Sequence, residues 1–126
     1  MTRWTQADVD RLKEKRGKPN KMRNQPTEVN GERFPSKKEA AEWVRLSAMQ
    51  TAGEISGLRR QYPIAAIING EHICTLIVDF CYVNIHSGGR LRYVDVKGRR
   101  AGVQYQLFRL KSKLVRALYG ITVEEV

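Results

Sequence analysis

Residues 73–99, ICTLIVDFCYVNIHSGGRLRYVDVKGR, decide how this chain folds. Two β-branched runs, Ile73 to Ile85 and Leu91 to Lys97, flank Ser87-Gly88-Gly89, and glycine tolerates the positive φ that a reversal needs. The stretch reads as an antiparallel hairpin. Side chains alternate along a strand, so Asp95 and Lys97 share one face while Val94 and Val96 take the other. Charges inside strands this rich in valine are costly unless they are paired or bind a metal. Asp79, Asp95 and Lys97 therefore need partners. One reading is an ion pair at a sheet edge. The other has two carboxylates holding a hard cation, with the lysine beside the water that the cation activates.

Working outward, a chain of 126 residues and 14.5 kDa suits one domain with one core. A net charge of +10 and a pI near 10.0 point to a polyanionic partner, because Lys and Arg displace counterions from phosphates. Nucleic acid leads and an anionic membrane surface comes second. No apolar run reaches the roughly 18 residues needed to span a bilayer, and no signal-peptide pattern opens the chain, so a soluble cytoplasmic protein with no membrane partner is expected. Cys74 and Cys81 stand seven positions apart on one strand, with opposed Cβ directions, and read as buried free thiols. A zinc site is not expected, since no CxxC pair is present and His72 and His86 have no finger spacing.

Residues 1–26 form a basic arm. Up to Gln25 it carries eight Lys or Arg, among them Arg16, Lys18, Lys21 and Arg23, against Asp8, Asp10 and Glu14. A short helix over Gln6 to Lys15 and a solvated arm are both compatible with this composition. Thr27-Glu28-Val29 and Glu32-Arg33-Phe34 flank Asn30-Gly31, which suits a two-residue hairpin turn. Ser36 followed by Glu39 is a capping box, and it opens a helix that runs to about Ala52 before Gly53. That helix should bury Ala40, Trp43, Val44, Leu46 and Ala48 and leave Lys37, Lys38, Glu42 and Arg45 wetter. Glu39 is thus a cap, a metal ligand, or both. Ile55 to Ile68 suggests a strand interrupted or started near Pro63, and Asn69-Gly70 turns it into the central hairpin. An exposed loop, Gly98-Arg99-Arg100-Ala101-Gly102, leads to a second helix over Val103 to Tyr119. Val103, Leu107, Leu110, Leu114 and Leu118 share one side of it, with Arg109, Lys111, Lys113 and Arg116 elsewhere. Gly120 ends it. Ile121 to Val126 then fits a final strand parallel to the Asp-x-Lys strand.

The order helix, three strands, helix, strand, with Glu39, Asp79 and Asp95-Val96-Lys97-Gly98 placed on it, resembles the PD-(D/E)XK nuclease superfamily and its αβββαβ core. Val78 stands where the superfamily's name has proline. The segments TEVNGERFPSKKEA, VDF, VDVKG and YGITVEEV are also similar to a small phage-encoded family of unknown function suspected to be endonucleases. The likeness covers residues 27–126. It implies an α/β (α+β) fold with a mixed four-stranded sheet flanked by helices, and a metal-dependent DNA endonuclease. It also implies that Asp79 and Asp95 are metal-binding acids, that Lys97 is the catalytic lysine, and that Glu39 is the helix glutamate of junction-resolving and transposase-type branches.

The chemistry expected from these residues is consistent with that likeness. Asp79 and Asp95, with Glu39 and the Val96 carbonyl, make a partial oxygen shell for Mg²⁺ or Mn²⁺. Lys97 would orient the attacking water or stabilise developing charge. Arg99, Arg100, Lys111, Lys37, Lys38 and the basic arm would hold flanking phosphates of duplex or branched DNA. Cutting both strands of a junction would favour a two-fold homodimer. A sequence-specific or nicking nuclease and a non-catalytic nucleic-acid-binding module are the competing expectations.

Overall fold

The computed structural model describes residues 26–29 and 31–126. The basic arm with Arg16, Lys18, Lys21 and Arg23, and Asn30 of the first turn, lie outside the described residues. A small hairpin pairs β1 (Thr27–Val29) with β2 (Glu32–Phe34). Helix α1 (Lys37–Thr51) follows, then β3 (Ile55–Ile68), β4 (Glu71–Asn84), β5 (Arg90–Asp95), helix α2 (Val103–Tyr119) and β6 (Val123–Glu125). The last four strands form one mixed sheet in the order β3-β4-β5-β6, antiparallel except for the β5–β6 pair. This is the expected α+β arrangement. Among the described residues no helix is long and apolar enough to cross a membrane.

Local chemistry accounts for the element ends. Ser36 caps α1, its hydroxyl accepting from the Glu39 N–H at 3.2 Å. Asn69 and Gly70 both have positive φ, 51° and 80°, as the two-residue turn between β3 and β4 requires. The central reversal is longer than two glycines. A 3₁₀ turn over Ile85–Ser87 precedes Gly88 and Gly89, and Asn84 takes the His86 N–H.

The sheet carries a core on each face. Phe80, Tyr82 and Val94 pack with Phe34, Ala40, Leu46 and Ile55 under α1. Ile64, Leu76 and Val78 pack with Phe108 and Val115 of α2. Tyr93 joins the second core while its neighbour Val94 joins the first, so the two cores lie on opposite faces. Val78 and Phe80 nevertheless belong to different cores, although two residues apart on one strand. So do Tyr62, paired with Val78, and Arg60, paired with Phe80, whose guanidinium lies 3.9 Å from the Phe34 ring centroid. Alternation is broken between them. Gln61 is the break, held at φ 50° in a region that non-glycine residues rarely occupy.

Several expectations change accordingly. The strand neither starts nor stops at Pro63, because β3 is an edge strand, where a residue without an N–H is tolerated. A positive φ falls two residues earlier, at Gln61, and the register of β3 against β4 shifts between Ser56 and Arg59 and between Ala66 and Ile67. Cys74, on the side of Leu76, and Cys81, paired with Tyr93, come to the α2 face together, since the break at Gln61/Asp79 reverses the count. They stay free, being separated along the strand, and only Cys81 is fully buried. On α1 the buried set is Glu39, Ala40 and Leu46, with Val44 half-exposed and Ala48 exposed.

Helix α2 turns a different side to the sheet than its leucines suggest. Phe108 and Val115 are buried, whereas Val103 is 77% and Leu110 64% exposed, and Leu107 and Leu118 are exposed too. At 100° per residue the two apolar stripes lie roughly a third of a turn apart. The seven residues linking β5 to α2 and the return to β6 fix which stripe meets the sheet. In urea unfolding, Phe108→Ala should cost about 3 kcal/mol through the cavity it leaves, while Leu110→Ala should cost under about 0.5 kcal/mol as a surface change. The reverse ranking would restore the leucine stripe as the core face.

Candidate metal and nuclease site

The break in alternation builds the site. Backbone pairing of β4 with β5 ends at Phe80–Val94. One step further, where Asp79 and Asp95 would face each other, side chains take over the ladder. The Asp79 N–H donates to Asp95 Oδ1 at 3.1 Å, and the Val96 N–H donates to Asp79 Oδ2 at 2.8 Å. The two strands part around a pair of carboxylates, each satisfying an N–H beside the other.

Asp95 is 6% exposed and its second oxygen meets Lys97 Nζ at 2.6 Å, so the two do share a face as alternation requires. Lys97 lies just beyond the end of β5, yet its N–H still donates to the Val126 carbonyl at 2.9 Å. Its ammonium sits 3.4 Å from the centroid of the Phe108 ring, held between carboxylate and ring face. Val94 and Val96 point to the α1 core as expected.

Glu39 enters from the first turn of α1 and is 3% exposed. The capping box is half made, because among the described residues its carboxylate bonds Gln61 rather than the Ser36 N–H. Gln61 was not read as a site residue from the sequence. Its amide Nε2 lies 3.4 Å from Glu39 Oε1 and 3.3 Å from Asp79 Oδ1, bridging the two acids. The polar run Arg59-Arg60-Gln61 interrupting a strand pattern was the available signal.

Glu39, Asp79, Asp95 and Lys97 line one cleft of about 560 Å³, walled by Pro35, Ser36, Ile77, Val96, Gly98 and Phe108. Lys37 and Lys38 stand at its rim, and Lys38 Nζ donates to the Lys97 carbonyl at 2.6 Å. Arg99 is exposed on the neighbouring loop, and Arg100 there pairs with Glu125 at 3.5 Å. Lys111 is directed elsewhere, donating to the Thr75 carbonyl at 3.3 Å.

Burial and the nearby Asp95 charge push Asp79 up to about 7, against the Val96 N–H, which favours the ionised form. Burial also raises Glu39, opposed by the charge of Arg60. Among the described residues no three acid, histidine or cysteine side chains converge on a single point as a finished ligand set. Gln61 and Lys97 stand between and beside the acids instead. The donor set is nonetheless that of a hard cation, carboxylate oxygens crowded enough to hold a proton near neutral pH.

No family model, curated protein or solved structure matches this chain.

The raised Asp79 has a measurable consequence. A group of ordinary value 3.8 in the unfolded chain and about 7 in the folded one stabilises the fold while protonated. That contribution is complete below pH 4 and is lost as pH rises to 7. In chelator, Asp79→Asn, which keeps an acceptor for Val96, should melt higher than wild type at pH 8 and about equal to it at pH 4. Equal melting temperatures at pH 8 would mean that neither burial nor the Asp95 charge penalises an ionised Asp79.

Proposed function

We propose that this chain is a metal-dependent DNA endonuclease with a PD-(D/E)XK-type site, selective for branched or junction DNA. The observation that carries the reading is the meeting of Asp79, Asp95 and Lys97 in one cleft, where β4 and β5 separate and Glu39 closes the side. The likeness seen in the sequence rested on spacing; here the same four residues share walls and hydrogen bonds.

Asp79 and Asp95, with Glu39 and the Val96 carbonyl, would hold Mg²⁺ or Mn²⁺, which when bound polarises a phosphate and lowers the pKa of its water. The remaining roles fall to the chain itself. Lys97 carries its ammonium beside the acid pair and can turn from Asp95 to the incoming water or the phosphoryl oxygens, stabilising charge as it develops. Phe108 backs the lysine and keeps water from its far side. Attack on phosphorus opposite the leaving oxygen breaks the P–O3′ bond and leaves a 5′ phosphate on one product. Lys37 and Lys38 at the cleft mouth, with Arg99 on the neighbouring loop, would position the phosphate backbone without reading bases.

A non-catalytic nucleic-acid-binding protein is the second reading. Its support is the way Gln61 and Lys97 already satisfy the three acids, which a structural cluster would also need.

Purified protein with Mg²⁺ or Mn²⁺ and a panel of linear, flapped, four-way and single-stranded DNA separates the two. Wild type should cut branched substrates. Asp95→Asn should abolish cutting and keep or tighten DNA binding, because a negative charge near phosphate is gone. Lys97→Ala should slow cutting by about 10²-fold, the scale of losing one electrostatic stabiliser, with calorimetric metal binding intact. Absence of cleavage and of metal binding by wild type, with both variants binding DNA as it does, leaves the second reading standing.

A further inference from the structure

The wall that backs the acid cleft also backs a second groove. Phe108 lines both, and beyond it a cleft of about 310 Å³ runs between α2 and the chain leading into β6. Arg109, Lys113 and Arg116 stand along it on one side of the helix, at spacings of four and three residues. Among the described residues none of the three has an acidic partner. Among the described residues the ion pairs are made by Arg45, Arg60, Arg92, Lys97 and Arg100. The groove's one carboxylate, Glu125, is taken by the Tyr105 hydroxyl at 2.8 Å and by Arg100. Ile121 and Val123 form an apolar side, and behind the wall the Ser112 hydroxyl is buried with no hydrogen-bond partner among the described residues.

We infer that this groove holds a single phosphodiester strand, the unpaired flank of a nucleic acid whose junction lies at the acid cleft. Three uncompensated cations repel one another within about 10 Å of helix, an arrangement that a row of phosphates relieves. The three long side chains along that length can each reach a separate phosphate of one strand. A groove of this volume takes one backbone and not a double helix. It has no aromatic platform apart from the shared Phe108, so the strand is held by its phosphates and its sequence is not read. The choice of a strand flank rests on the nuclease reading. The groove's preference for a phosphodiester strand does not.

The test is binding in EDTA, where no cutting occurs, followed by fluorescence anisotropy across a salt series. The probes are a 12-mer oligothymidylate, a blunt 12-base-pair duplex and a polyglutamate peptide, and the protein is the full chain. Arg109→Gln/Lys113→Gln/Arg116→Gln keeps good helix formers at exposed positions, and an unchanged melting temperature confirms the fold. For the oligothymidylate, the triple variant should lower the slope of log affinity against log salt by about 2, at about 0.7 per phosphate contact. At 0.1 M salt the affinity should fall at least tenfold, while the blunt duplex loses little. An unchanged slope overturns the inference, as does an equal loss for the duplex, or polyglutamate binding as tightly as the oligonucleotide. Cleavage is scored separately with wild type. A lost slope without any cleavage by wild type keeps the groove and removes the nuclease, and cleavage with an unaltered slope does the opposite.

Discussion

Two crossed hydrogen bonds hold the architecture around the site together, from the Asp79 N–H to Asp95 and from the Val96 N–H to Asp79. Strands that separate inside a sheet leave ladder groups without partners, and a buried N–H without an acceptor costs about 1–3 kcal/mol. The two carboxylates supply those acceptors at the point of separation. An acid here is therefore structural before it is anything else, and the cleft exists because the acids are there. A shift of backbone position at Asp79 would disturb both cores at once, since Val78 belongs to one and Phe80 to the other.

Crowding three carboxylates sets the electrostatics. The Gln61 amide bridges Glu39 and Asp79, Asp79 and Asp95 stand directly beside each other, and two cations, Lys97 and Arg60, counter the cluster. Arg60 is placed by the small hairpin. It stacks on Phe34, bonds the Arg33 carbonyl at 3.1 Å and pairs with Glu32 at 3.3 Å. The β1–β2 hairpin thus has a role despite its size, because it fixes the charge that favours an ionised Glu39. Around this acidic interior the chain as a whole is basic, with a net charge of +10, so the cleft carries the opposite sign to the molecule it sits in. Within the chain itself, a proton held on Asp79 and the ammonium of Lys97 relieve the crowding of these acids.

Much of the fold was legible from local chemistry. The cap at Ser36, the Asn69-Gly70 turn and the stop at Gly53 follow from side-chain and backbone preferences that act over a few residues, and the parallel β6 follows from the helical crossover that precedes it. The Asp95-x-Lys97 face was equally legible, since alternation in a regular strand needs no knowledge of the partner. Alternation failed at Gln61, where a positive φ reverses the count. No nearby glycine announces that reversal. The cysteine faces and the position of the strand irregularity were misread for the same reason.

What the sequence by itself determined is the element order, the basic charge and the identities of Glu39, Asp79, Asp95 and Lys97 as groups that needed partners. What only the tertiary structure decided is who those partners are. Periodicity finds an apolar stripe on a helix but not which of two stripes meets the sheet, so Phe108 and Val115 replaced the leucines as the core of α2. Gln61 joined Glu39 to Asp79 because two strands and a helix converge there, a contact spanning 22 residues in sequence. Local preferences act along the chain, whereas the pairing of buried charge depends on which distant segments share a space, and that is settled by packing.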